Sequence, residues 1–174
     1  MKWMGGTVAV VCISCLQAQT ATPAGGDPWK ALSFLEGTWE AKTEGGSAGA
    51  SAGGTYAFVR ELGGHVLARH SSNAGCKGPV DFDCEHGDLL YVYQNVVGQP
   101  FKAIYFDNEG HVIHYEVSTP APDSAIFISD PSLPGPQFRL TYELKGAVMS
   151  GKFQMQMPGQ GGWKSYLEWS GAKK

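Results

Sequence analysis

The chain has 174 residues, with 13 Lys and Arg against 16 Asp and Glu and a formal net charge of −3. The charges are evenly spread with no basic run, which excludes the Lys/Arg stripe that displaces counterions from nucleic acid and argues equally against an anionic membrane surface. After residue 16 no long apolar stretch recurs, so the sequence reads as soluble.

The first residues read as an export signal. Met1-Lys2, the apolar run 3–16 and the small, polar stretch 17–21 follow the order of one early cation, a short apolar core and a small-residue cut. The expected organisation is a signal peptide over 1–18 cut after Ala18, a flexible leader over 19–28 and one domain over 29–174. The expected destination is the periplasm or the exterior. Two rivals stand beside release: a lipoprotein box ending at Cys15, although Cys12 stands where that box wants an aliphatic residue, and an uncleaved anchor. Export would leave Cys76 and Cys84, eight positions apart in a loop-like stretch. A disulfide is the favoured reading in an oxidising compartment, with two free thiols as the alternative, and two cysteines alone make only half a tetrahedral zinc site.

Residues 28–35 offer one or two helical turns, with Asp27 as N-cap, Pro28 at the first position and Gly37 as the stop. Everything after alternates at period two between turn signals. Strands are expected over 38–44, 55–60, 65–71, 88–95, 101–107, 111–119, 125–129, 138–144, 148–157 and 163–170. The Gly/Ser/Ala-rich segment 45–54 and the Pro-rich segment 130–136 read as connections. About ten short strands without crossover helices predict an all-β chain folded as a single antiparallel up-and-down barrel behind a short N-terminal helix. Closing the sheet removes its exposed edges. The alternative, an immunoglobulin-type sandwich, lacks an inter-sheet cysteine spacing.

Parity assigns faces. Ile113, Tyr115 and Val117 share one face, as do Phe138, Leu140, Tyr142 and Leu144; Met149, Phe153, Met155 and Met157; and Trp163, Leu167 and Trp169. These apolar sets are the expected interior, opposite Lys152, Gln154, Gln156, Lys164, Tyr166 and Glu168. Residues 88–95 are apolar on both faces.

The segment Leu32-Ser33-Phe34-Leu35-Glu36-Gly37-Thr38-Trp39-Glu40 resembles the opening of calycins, in which a short helix leads into a first strand carrying Gly-x-Trp. Arg60-Glu61-Leu62-Gly63-Gly64-His65, Phe106-Asp107-Asn108-Glu109-Gly110-His111 and the closing Met157-Pro158-Gly159, Trp163 and Trp169-Ser170-Gly171 extend the likeness over nearly the whole expected domain. Together they are similar to bacterial lipocalin-like domains of unknown function, distant relatives of nitrobindin and the fatty-acid-binding proteins. The resemblance implies that Trp39 packs across one end of the barrel. It also implies where a haem ligand would sit, on a late strand, but no histidine follows His114. Lys164-Ser165-Tyr166 echoes the Arg-x-Tyr carboxylate clamp of the fatty-acid-binding relatives with Lys in place of Arg, and a Lys offers no guanidinium fork.

Catalytic constellations are missing from the sequence. No Gly-x-Ser-x-Gly elbow occurs, and Ser150 has no neighbouring histidine. His111 and His114 point to opposite faces of one strand, as do His65 and His70. The dense run 81–88 matches no calcium loop and reads as a solvated acidic loop, with weak calcium or zinc binding as the alternative. The sequence therefore points to no metal and no cofactor, and not to an enzyme, with a lipocalin-type isomerase or cyclase as a lesser reading.

Tyr91, Tyr93, Tyr105, Tyr115, Tyr142, Phe153, Met155 and Met157 would line an apolar interior with several hydroxyls. A ligand cavity and a filled core look alike at this level. Arg60, Arg69 and Arg139 are further anion partners. The leading expectation is a carrier of a small apolar or amphipathic molecule; the alternative is a filled barrel that works through its loops. A carrier should show a cavity of ~300 Å³ or more bordered by Tyr115, Tyr142 and Phe153. Such a ligand is the one expected partner, with membrane contact only through an anchor at Cys15 and the oligomeric state open.

Overall fold

The computed structural model describes residues 26–174. The expected signal peptide, the cut after Ala18, the Cys15 anchor and most of the leader lie outside the described residues.

Ten strands form one closed antiparallel barrel: β1 Gly37–Gly45, β2 Ser51–Glu61, β3 Val66–Lys77, β4 Asp88–Tyr93, β5 Lys102–Asp107, β6 Val112–Ser118, β7 Ser124–Ser129, β8 Gln137–Lys145, β9 Val148–Gln156 and β10 Lys164–Lys173. Each strand pairs with its successor, and β1 pairs with β10 through registers such as Trp39 with Lys173 and Ala41 with Gly171. Full closure rules out the sandwich, since a single sheet returns to its own first strand and leaves no edge.

Alternation places the core. β6 alternates exposed and buried along its whole length, with Ile113, Tyr115 and Val117 inside. Phe58, Phe127, Tyr142, Leu140 and Met149 join them, and Tyr142 meets the rings of Phe58, Phe127 and Trp169 edge-on at centroid separations of 5.4, 6.1 and 5.8 Å. Room for the Trp169 indole comes from Gly151, its partner on β9. A Cβ there would lie 2.0 Å from the indole ring.

One end of the barrel is plugged. Lys30–Leu35 forms a six-residue 3-10 segment rather than the expected α-helical turns, and Trp29, Leu32 and Leu35 are buried beneath it. Asp27 accepts the Trp29 N–H at 3.0 Å. β1 begins two residues after the segment ends, which leaves too little chain for a ladder of α-type bonds. The free Leu35 carbonyl accepts the Trp39 indole N–H at 2.8 Å, and Trp39 is fully buried against the plug. Arg60 fastens the plug from outside, with its guanidinium bound to both Asp27 and Glu36 at 2.6–2.9 Å.

Two expectations of local structure are corrected. Residues 51–54, read as a connection, belong to β2 and pair with the end of β3 as far as Ser51 with Lys77. Small residues lower strand propensity, but here they carry a register shift, and a Cβ on Gly54 would lie 2.2 Å from the Ser72 carbonyl oxygen. In β10 the register shifts between Ser165 and Leu167, so Tyr166 is the extra residue. Its ring turns to the edge of Phe153 at 6.2 Å instead of pointing outward.

A disulfide joins Cys76, at the end of β3, to Cys84 in the following loop. That bond suits an oxidising compartment.

Candidate functional site: a small cavity over a buried arginine

Opposite the plugged end, β1, β2, β3 and β10 border a solvent-open cavity of about 170 Å³ flanked by the 78–87 loop. Ala41, Leu167, Phe82, Tyr56 and Trp169 supply apolar surface, while Arg69, Ser71, Asp83, His86 and Asp88 supply polar groups. The loop is held above the cavity by the Cys76–Cys84 bond and by Asn73, whose amide donates to the His86 carbonyl at 2.7 Å.

Arg69 is the centre of the polar wall. It points inward because it shares parity with Leu67 on β3, and its side chain is only 7% exposed. Nη2 meets Asp88 Oδ1 at 2.6 Å, and Nη1 donates to the Tyr142 hydroxyl. Burial opposes its charge, but Asp88 and Tyr142 outweigh that and hold the guanidinium cationic. Burial alone would raise the Asp88 carboxyl; the Arg69 charge, His86 and the Ser71 hydroxyl at 2.8 Å pull it well below the usual carboxylate range.

His86 joins the loop to this network. Asp88 lies 3.7 Å from its Nε2, the Tyr105 hydroxyl 2.9 Å from the same nitrogen, and Glu109 3.0 Å from Nδ1. Asp88 is the largest influence and Glu109 adds to it, so against partial desolvation the imidazole is pushed up to about 9. Asp83, His86 and Glu109 bring ligand-type atoms within 4.8 Å of one another. A cation there would have to displace the proton that His86 holds at neutral pH.

That proton has a consequence for stability. A raised folded value means His86 stabilises fully below the ordinary histidine value near 6.5, and the contribution disappears as pH rises through about 9. Discounted for its part-exposed ring, the expected loss is about 1–2 kcal/mol. Urea unfolding at pH 7 and pH 10 should show it in the native sequence and not in His86→Gln.

Among the described residues, the Arg69 Nε–H and the Tyr56 hydroxyl are buried behind the cavity wall without hydrogen-bond partners. The Trp169 indole N–H neighbours that hydroxyl outside hydrogen-bonding geometry.

The residues expected to line a ligand space fall elsewhere. Tyr115 and Tyr142 are packed in the filled middle of the barrel. Phe153 stacks on Phe138 at 5.6 Å, and Met155 is half-buried beside the Phe138 position. Gln154 and Gln156 are half-buried too, so burial does not separate them from Phe153 and Met155. Tyr105 points inward but spends its hydroxyl on His86. Tyr91 and Tyr93 are corrections: Leu90 and Val92 take the inward parity of β4, which puts both tyrosines on the outer face. Met157 is another, at 45% exposure beyond the end of β9. None of the eight borders the cavity.

A second concavity, about 520 Å³, is a solvent-open groove on the outer wall beside β8, β9 and β10. Its polar groups already serve one another: Arg139 donates to the Gln154 side-chain oxygen at 2.8 Å, and Lys152 pairs with Glu168 at 3.2 Å.

Of the wall residues, the sequence marked Arg69 only as one of three unassigned arginines, Asp83, His86 and Asp88 as part of a solvated acidic loop, Cys76 as a disulfide partner, and Leu167 and Trp169 as inward-facing. The available signal was parity, since Arg69 follows Leu67, and Asp88 precedes Leu90 and Val92, on the inward faces of paired strands. No protein-family model matches the chain, and no curated protein matches it.

Proposed function

We propose that this is an exported, calycin-like barrel that holds a small amphipathic molecule in the end cavity, not in the middle of the barrel. The carrying observation is a pocket of about 170 Å³ whose wall joins the apolar surface of Trp169, Tyr56, Leu167 and Phe82 to the charged groups of Arg69, Asp88 and His86. The Gly-x-Trp opening supports the calycin assignment, and the disulfide supports export. The cavity is below the ~300 Å³ at which sites for drug-sized ligands begin, which restricts the occupant to a smaller molecule.

The test is native mass spectrometry of the full chain purified from the exported fraction, beside Ala41→Leu, which fills the cavity from β1. The expected result is a small added mass on the native sequence that the variant lacks. Equal added mass on both proteins would place the ligand elsewhere. A native protein that stays empty and takes up no small organic molecule offered at millimolar concentration would favour a filled barrel working through its loops.

A further inference from the structure

We propose that Asp83, His86 and Glu109 bind one divalent cation of the zinc type. The site does not depend on what occupies the cavity.

The run 81–88 by itself matches no metal loop, and the third ligand comes from a different part of the chain. Glu109, in the β5–β6 turn, meets His86 across a separation of 23 residues. Ligand-type atoms of Asp83, His86 and Glu109 all lie within 4.8 Å of one another. His86 Nδ1 and Glu109 Oε1 are already 3.0 Å apart. Around a tetrahedral ion with bonds of roughly 2.0 Å, ligand atoms stand about 3.3 Å apart. Closing the set therefore asks for a shift of about 1–2 Å by the Asp83 carboxylate.

The imidazole is aimed from behind. Its Nε2 lies 2.9 Å from the Tyr105 hydroxyl and 3.7 Å from Asp88, which Arg69 and Ser71 fix in turn. Nδ1 is left facing the carboxylates, and a partner on the opposite nitrogen is what orients ligating histidines. Asn108, beside Glu109, donates its amide to Asp83 Oδ2 at 3.2 Å and to the Glu85 carbonyl at 3.3 Å. Cys84, beside Asp83, is bonded to Cys76. Loop and turn are thus joined around the three groups before an ion arrives, which lowers the ordering cost of binding.

Charge and donor type choose the ion. Among the described residues no Lys or Arg pairs with Asp83 or Glu109; the ionic partners of Glu109 are His86 at 3.0 Å and His111 at 3.9 Å. The two carboxylates offset the charge of a divalent ion, which takes the place of the proton on Nδ1. Calcium and magnesium want about six or more oxygens and gain little from an imidazole. One nitrogen and two oxygens suit zinc, with water completing the tetrahedron. His111 is not a ligand, since Asp107 holds its Nδ1 at 2.9 Å.

The full chain, without a histidine tag and stripped with EDTA, is titrated with zinc against a chromophoric chelator at pH 7, and the imidazole resonances are followed by NMR. One equivalent of zinc should bind, shifting the His86 ring and leaving those of His65, His70 and His114 in place. His86→Gln and Glu109→Gln should each weaken binding by about tenfold or more, while His114→Gln changes it less than about twofold. Calcium or magnesium in about hundredfold excess should not displace the zinc. Glu109→Gln alters an exposed turn, so it tests the site even if His86→Gln fails to fold. Zinc affinity that Glu109→Gln leaves unchanged would overturn the assignment. So would binding reported by another histidine ring, equal displacement by calcium, or no uptake of zinc at millimolar concentration.

Discussion

Tyr142→Ala should lower unfolding stability by about 3–5 kcal/mol, the range for deleting a large ring from a packed core. The ring is fully buried and touches Tyr56, Phe58, Phe127 and Trp169. Its hydroxyl also accepts the Arg69 Nη1–H, so the truncation strands one more donor of a buried cation. Tyr142→Phe separates the two effects. It keeps the ring contacts and removes only the acceptor, for an expected loss of about 1–3 kcal/mol. Urea unfolding at pH 7, followed by tryptophan fluorescence and by far-ultraviolet dichroism, gives both values. If Tyr142→Ala cost no more than Tyr142→Phe, the middle of the barrel would be loosely packed and a central ligand space would regain support.

Asp88→Asn should be almost as costly, because it leaves Arg69 buried without its countercharge. Breaking a buried pair by removing one partner typically costs about 3–5 kcal/mol. Asp88 also accepts from Ser71 and lies near His86, so the loop above the cavity loses its inner tie as well. The companion variant Arg69→Met/Asp88→Leu removes both charges and should recover most of the loss. The sign of the pH dependence is set too. Asp88 is held below the usual carboxylate range, so its contribution is complete above the unfolded carboxylate value and is lost as acid protonates the folded state. Asp88→Asn should therefore show a flatter stability profile on the acid side than the native sequence. An unchanged unfolding midpoint in Asp88→Asn would mean that Arg69 is paired with water or another group instead.

The barrel was legible in the sequence because period-two alternation is a local property. Ile113-His114-Tyr115-Glu116-Val117 and Phe138 through Leu144 each announce a strand and its inner face, and the structure places Tyr115, Leu140 and Tyr142 inside as that pattern requires. The Cys76–Cys84 bond was legible from its short spacing together with the expected oxidising compartment. Parity failed where the backbone register shifts, at Tyr166, and where both faces are apolar, at Tyr91 and Tyr93. A bulge inserts one residue and flips the facing of its neighbours, and no residue type marks it. The cavity was not legible for a different reason. It depends on Arg69, Asp88 and His86 meeting across two strands and a loop, and on β1 and β10 closing over them. Sequence by itself determined the alternation, the strand count and the disulfide, since each rests on neighbours along the chain. Only the tertiary structure decided that the middle is filled by rings, that the open space is small and lies at one end, and that a buried arginine paired with Asp88 backs it. Those are consequences of volume and charge summed across strands far apart in sequence.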